Sequence, residues 1–290
     1  MKTIRARLLA ASLACLLTAN ASSTVLPDQG AEPVMQGSPP PADRVVNRIN
    51  HIAAKNLRWS LTHMRMLLPT AVIRRGEAPV SHLRVGRPFS PPAFSDTDGT
   101  PVSFEDWMRR SHADALVILH RGLVVFEGYA PGVDPSSPHT LQSVSKSFVG
   151  VIAAMLANEG KIDPGAPVAS YVPELAQSAW GTATMQQTLD MTVGVRYNED
   201  IKDPKSDVQR YYGVASGTFP PPPGYDGPRD IYHMLTMLPQ EGEHGVGFVY
   251  KTVNPEAVSW ALARVTGKRP SELISERIWT KLGARSEEHT

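Results

Sequence analysis

Ser143 and Lys146 stand three residues apart in Leu141-Gln-Ser-Val-Ser-Lys-Ser-Phe-Val-Gly150, at the head of the apolar run Val151-Ile-Ala-Ala-Met-Leu156. Three-residue spacing on a helix places both side chains on one face, a turn apart. A serine hydroxyl is a weak nucleophile at neutral pH and needs a base within hydrogen-bond reach. An amine can act as that base if burial and neighbouring charge lower its pKa. Unpaired backbone N–H groups and the positive dipole end at a helix start suit a developing oxyanion. One short segment thus offers nucleophile, base and part of a charge-stabilising cradle. Ser-x-x-Lys also arises by accident and describes an ordinary helix start, so the pair alone decides nothing.

Tyr250 is the second candidate. It sits in the glycine-flanked stretch Gly245-Val-Gly-Phe-Val-Tyr-Lys-Thr-Val-Asn254. A phenol beside a lysine ammonium ionises more readily, so a Ser/Lys/Tyr cluster can carry a proton from nucleophile to leaving group. Sequence distance alone cannot bring Tyr250 to Ser143. Asn254, followed by Pro255, reads as a helix cap with proline at the first helical position. His63 is a conceivable base, but packing beside Trp59 is the simpler reading. His120 reads as surface decoration.

The elements that must hold these groups are partly legible. The run from Leu141 reads as a buried helix of about four turns that ends at Asn158-Glu-Gly160, with Gly160 as a left-handed cap. Ala115-Leu-Val-Ile-Leu-His120 and Leu123-Val-Val-Phe-Glu-Gly-Tyr129 flank Arg121-Gly122, which is a hairpin pattern. Further helices are expected at 45–54 behind Asp43, at 104–109, at 185–191, at 230–238 and from Pro255 to Gly267. The Pro-rich stretch from Asn198 through Gly224 reads as a surface excursion.

With 290 residues, 41% apolar and 20% charged, the chain can bury a sizeable core. A net charge of +1 gives no electrostatic case for nucleic acid. No Walker loop, zinc-finger spacing or Gly-x-Gly-x-x-Gly occurs, and neither metal nor other cofactor is expected. Residues 1–21, with a basic start, a short apolar middle and Ala19-Asn-Ala21, read as an export signal, which points to a periplasmic or secreted protein. A lipoprotein signal ending at Cys15 is the alternative. The apolar middle is too short to span a bilayer, so no membrane span is expected after cleavage. Residues 22–42 read as an extended or disordered linker.

The hairpin, Ser143-Val-Ser-Lys146 at a helix start, Leu189-Asp-Met-Thr-Val-Gly194, Phe248-Val-Tyr-Lys-Thr252 and Val265-Thr-Gly267, in that order, resemble the serine β-lactamase-like hydrolases. The likeness runs from about 45 to 284 and is strongest to the branch of class C β-lactamases, certain esterases and 6-aminohexanoate-dimer hydrolases. Tyr-Lys-Thr stands where class C β-lactamases carry Tyr-x-Asn, which favours the esterase and dimer-hydrolase side. The resemblance implies Ser143 as acylated nucleophile, Lys146 as partner base and Tyr250 as proton shuttle. Tyr197, Thr252 and Asn254 are carried as candidate substrate contacts.

The implied fold is α+β: an antiparallel sheet with flanking helices (43–135 and 246–284) and an inserted helical lobe (136–245), with the site in the cleft between them. The implied reaction is acyl transfer from a small amide or ester to water. A β-lactamase or D-alanyl-D-alanine peptidase, and a non-catalytic cell-wall-binding relative, are the alternatives. The third family motif, a Lys- or His-x-Gly-like triplet on a late strand, is not found. Arg285-Ser-Glu-Glu-His-Thr290 reads as a non-native tail, so the chain is expected to lack the last strands of its sheet, to expose an unpaired edge and to be poorly soluble.

Overall fold

A computed structural model describes residues 23–28, 30, 33–286 and 288–289. The expected leader and Cys15 lie outside these residues. These described residues form two compact units, one of those up to 30 together with 82–135, the other of those from 33 to 81 and from 136 onward.

The first unit is built on the hairpin that the β-branched alternation predicts. Ala115–His120 and Leu123–Tyr129 pair antiparallel, with a register shift between Ile118 and Leu119. The turn residues Arg121 and Gly122 both take positive φ (50° and 75°), the conformation that fits the twist of two-residue hairpins. Two short strands add to Leu123–Tyr129 in parallel: Arg84–Val85 at its start and Thr24–Val25 at its end. The sheet is therefore mixed rather than purely antiparallel. Thr24–Val25 also corrects the linker expectation for 22–42. Leu26 is buried with Met108 and Ala130, and its N–H donates to Tyr129 O at 2.8 Å, because one leucine side chain can complete a small core. The predicted helix at 104–109 spans Phe104–Arg110, capped by the Ser103 hydroxyl accepting from Asp106 N–H.

The second unit is helical and holds the main core. The Ser145–Asn158 helix buries Ile152, Ala153 and Leu156, and ends as expected, with Gly160 at φ 68° and Lys161 N–H closing on Leu156 O at 2.9 Å. It packs on the Val253–Thr266 helix, which in turn packs on Met185–Leu189. Val253, Ala257, Ala261 and Leu262 are all buried there, and the small alanines let the helices approach closely. A Thr184/Gln187 capping box starts Met185–Leu189, and Asp230 caps Ile231–Met237.

Three expectations change in this unit. The helix predicted at 45–54 is absent. Asn47 and Asn50 bond nearby backbone groups instead, Ile49 and Ile52 stay exposed, and the helix begins later, at Ala54–Thr62. The stretch after Asn198 is not a bare excursion, since it carries Asp207–Arg210 and a π-helical turn at Tyr211–Ala215. Residues 246–284 cluster with 136–245, whereas the sequence grouping joined them to the strands. Near the end of the chain, Glu288–His289 pairs antiparallel with Val72–Ile73. No helix among the described residues is long and apolar enough to cross a membrane.

Candidate active site

Ser143 lies not in the α-helix itself but in the 3-10 turn Gln142–Val144 that leads into Ser145–Asn158. Gln142, just before it, takes φ 48°, uncommon for a residue with a Cβ and a form of backbone strain that concentrates at functional sites. Upstream, Thr140 ties the entering chain to the end of the Ala54–Thr62 helix: its N–H and hydroxyl both donate to Leu61 O, at 2.8 and 2.9 Å. The Ser143 side chain is therefore presented on a fixed turn, exposed to solvent.

Lys146 and Tyr250 meet there. Lys146 Nζ donates to Ser143 Oγ at 3.1 Å, and Ser143 Oγ and Tyr250 OH lie 2.7 Å apart. The ammonium also sits 5.4 Å from the centroid of the Tyr250 ring. Partial burial pushes the Tyr250 phenol up, but the hydrogen bonds with Ser143 and Lys146 and the Lys146 charge outweigh it. The net result is a phenol below the ordinary tyrosine pKa. A neighbour three residues away and a phenol 107 residues away thus meet at the one Ser143 hydroxyl oxygen.

Ser143 and Lys146 line a cavity of about 810 Å³, all of whose lining residues belong to the second unit. Six aromatic side chains stand in its wall: Phe148, Tyr211, Tyr212, Tyr232, Trp260 and Trp279. Asp230 and Glu256 are acidic residues of the same wall. Tyr211 OH donates to Glu256 Oε1 at 2.7 Å, and burial raises the Glu256 carboxyl, partly offset by Tyr211 and Lys146. Burial also raises the Tyr212 phenol. Among the described residues no group of three or more His, Cys, Asp or Glu could hold a metal ion.

The other sequence candidates fall as follows. Thr252 lines the cavity, though it is nearly fully buried. Asn254 does not cap the helix, because Val253–Thr266 starts two residues before the expected Pro255, with Thr252 as its cap. Asn254 is also no substrate contact: it is 0% exposed, and its Oδ1 accepts from Trp180 Nε1 at 3.2 Å. Tyr197 is 3% exposed and its hydroxyl has no partner among the described residues, so it too belongs to packing. Burial, with Glu199 next in effect, raises its phenol far above the ordinary value. His63 stacks on Trp59 (centroids 4.2 Å, planes 6° apart), as the packing reading expected. His120 is exposed on the hairpin.

The sequence reading missed Glu199, Tyr212, His244 and Glu256. Glu256 had a usable signal, an acidic residue in the first turn of a helix opened by Asn-Pro. Tyr211 and Tyr212 were masked by the proline-rich surroundings, although Ser206 followed by Val208 is a helix-start pattern. His244 carried no signal. It accepts from Gly194 N–H through Nδ1 at 3.0 Å and meets Thr182 Oγ1 through Nε2 at 3.1 Å, fastening 192–194 beside the Tyr250 segment. Burial lowers its pKa.

Comparison with known proteins shows the family of the chain. The beta-lactamase family model matches residues 104–287. A 6-aminohexanoate-dimer hydrolase of Paenarthrobacter ureafaciens is 36% identical over 234 residues, 80% of this chain and 56% of that protein. A solved structure from Bacillus anthracis, provisionally described as a 6-aminohexanoate-dimer hydrolase, superposes with a TM-score of 0.76 at 30% identity. That match covers 85% of this chain and 64% of the other. The chain therefore spans somewhat more than half the length of these relatives.

Proposed function

The chain belongs to the beta-lactamase family, and on that premise we propose that it is a serine hydrolase that cleaves small amides or esters through an acyl-enzyme on Ser143. The observation that carries this reading is the contact of Lys146 Nζ and Tyr250 OH with one serine oxygen, at 3.1 and 2.7 Å. Ser143 Oγ attacks the substrate carbonyl carbon while its proton passes to the Tyr250 oxygen. A helix start leaves backbone N–H groups without intrahelical acceptors, and the Ser143 N–H in that turn faces the developing oxyanion. As the tetrahedral intermediate collapses, the carbonyl re-forms, the C–N or C–O bond breaks, and the leaving amine or alcohol takes the proton from Tyr250. Water then attacks the acyl ester with Tyr250 as base, which releases the acid and returns the proton to Ser143. Lys146 keeps its charge beside the phenol throughout, favouring the ionised oxygen that accepts the proton.

A cavity of this volume with six aromatic side chains in its wall accommodates a small organic acyl group. Both relatives bear the name of an enzyme acting on the 6-aminohexanoate dimer, so this linear amide is the first substrate to try. The export signal read at residues 1–21 makes the periplasm or the medium the proposed location; sequencing the mature N-terminus, expected near Ser22, checks it. Incubation with the linear dimer, a p-nitrophenyl ester and labelled penicillin tests the activity. Turnover of amide or ester is the expected result. Stable penicillin adduct with neither turned over would move the protein to the penicillin-binding side.

A further inference from the structure

Tyr250 lies in a segment, Val246 to Lys251, with no regular secondary structure. Packing does little to hold it, since Val246, Phe248 and Val249 are exposed. A phenol that must stay within about 3 Å of a serine oxygen needs its flanks fixed. Upstream, Gly245 N–H donates to Thr192 O at 2.8 Å and Val249 N–H to Met191 O at 3.0 Å. Downstream, the anchor is Glu199. Thr252 N–H donates to its Oε2 at 2.9 Å, and the Thr252 hydroxyl donates to its Oε1. Lys251 Nζ reinforces the join by donating to Tyr197 O. Both polar donors of a threonine only 3% exposed are therefore spent on one carboxylate, two residues from the phenol.

Resting on the serine-hydrolase reading above, we propose that Glu199 is a positioning residue for Tyr250: through its paired hydrogen bonds to Thr252 it fixes where the phenol oxygen stands against Ser143 and Lys146. The carboxylate also sits at the N-terminus of the 14-residue Val253–Thr266 helix, where negative charge is favoured. A plain helix cap would stabilise the fold and nothing more. A positioning residue alters the phenol itself.

The two are separated by Glu199→Ala and Glu199→Gln, each alone and combined with Tyr250→Phe. Glutamine keeps the shape and can still accept the backbone N–H, while the threonine hydroxyl, able to accept as well as donate, turns to meet the amide. With a p-nitrophenyl ester, Glu199→Ala is expected to lower kcat about 10- to 100-fold with KM within about threefold, the scale of a small misplacement. Glu199→Gln should recover most of the loss. In the Tyr250→Phe background Glu199→Ala should add little, because the two act through one atom. The second readout needs no turnover: ultraviolet titration of the phenols, with Tyr250 assigned by difference from Tyr250→Phe. Its ionisation should move upward in Glu199→Ala and return in Glu199→Gln. An unmoved Tyr250 titration in a folded Glu199→Ala protein, or an undiminished loss in the Tyr250→Phe background, overturns the proposal. Lack of ester turnover in the wild type together with a shifted titration would instead sink the hydrolase reading and leave the positioning role standing.

Discussion

Replacing Tyr250 by phenylalanine removes one oxygen from the centre of the site and little else. The ring is partly exposed, and its face remains available to the Lys146 ammonium 5.4 Å away, so the fold should lose almost nothing. What goes is the 2.7 Å contact with Ser143 Oγ. A positioned acid–base group contributes about 10²–10⁴-fold, or roughly 3–5 kcal/mol of barrier. Lys146 remains 3.1 Å from Ser143 Oγ, but as an ammonium it cannot accept the serine proton, so a loss of about 10²–10⁴-fold is expected. The assay is the rate of Ser143 phosphonylation by a fluorophosphonate probe, in which the serine oxygen displaces fluoride from phosphorus, followed by intact mass across pH. In the wild type the rate should rise with pH through an apparent pKa below the ordinary tyrosine value of about 10, because neighbouring groups lower that phenol. In the Tyr250→Phe variant this limb should disappear. A Tyr250→Phe protein that is phosphonylated within threefold of the wild-type rate, with the same pH profile, would refute the assignment of Tyr250 as proton carrier.

Two further outcomes follow from groups that the chemistry does not use. Asn254→Ala leaves the buried Trp180 indole N–H without its acceptor, costing about 1–3 kcal/mol. The better helix propensity of alanine returns about 0.6 kcal/mol, so urea unfolding should show a net loss of about 1–2 kcal/mol, and a stability equal to wild type would contradict the packing role. His244 has a folded-state pKa depressed by burial, so its stabilising effect is complete above the unfolded value of about 6.5. It is lost as pH falls from there through the lower folded value. Thermal melts should therefore fall across that window in wild type and less steeply in His244→Asn, which keeps an acceptor for Gly194 N–H but does not titrate; parallel curves would exclude His244 as a source of the dependence.

The pattern of success at the level of sequence has physical causes. The hairpin and the Ser145–Asn158 helix were legible because local rules settle them: β-branched alternation around Arg121-Gly122, and an apolar run closed by Gly160. The helix expected at 45–54 failed because Asn47 and Asn50 satisfy the backbone locally, an option that periodicity does not register. Ser143, Lys146 and Tyr250 were nameable through motif order, and their convergence needed coordinates. Asn254 was misread because Asn-Pro has the letters of a cap, whereas its amide is consumed by Trp180, 74 positions away. Glu199, Tyr212 and His244 act through contacts made only after the chain folds, so no local pattern marked them.

The central claim is that one serine oxygen carries the acyl group. Intact mass spectrometry of the protein treated with a fluorophosphonate, followed by peptide mapping, reads this directly. A single adduct on the peptide bearing Ser143, abolished in Ser143→Ala and retained in His63→Ala, is the predicted result. An adduct that persists in Ser143→Ala, or that is lost in His63→Ala, would contradict the account.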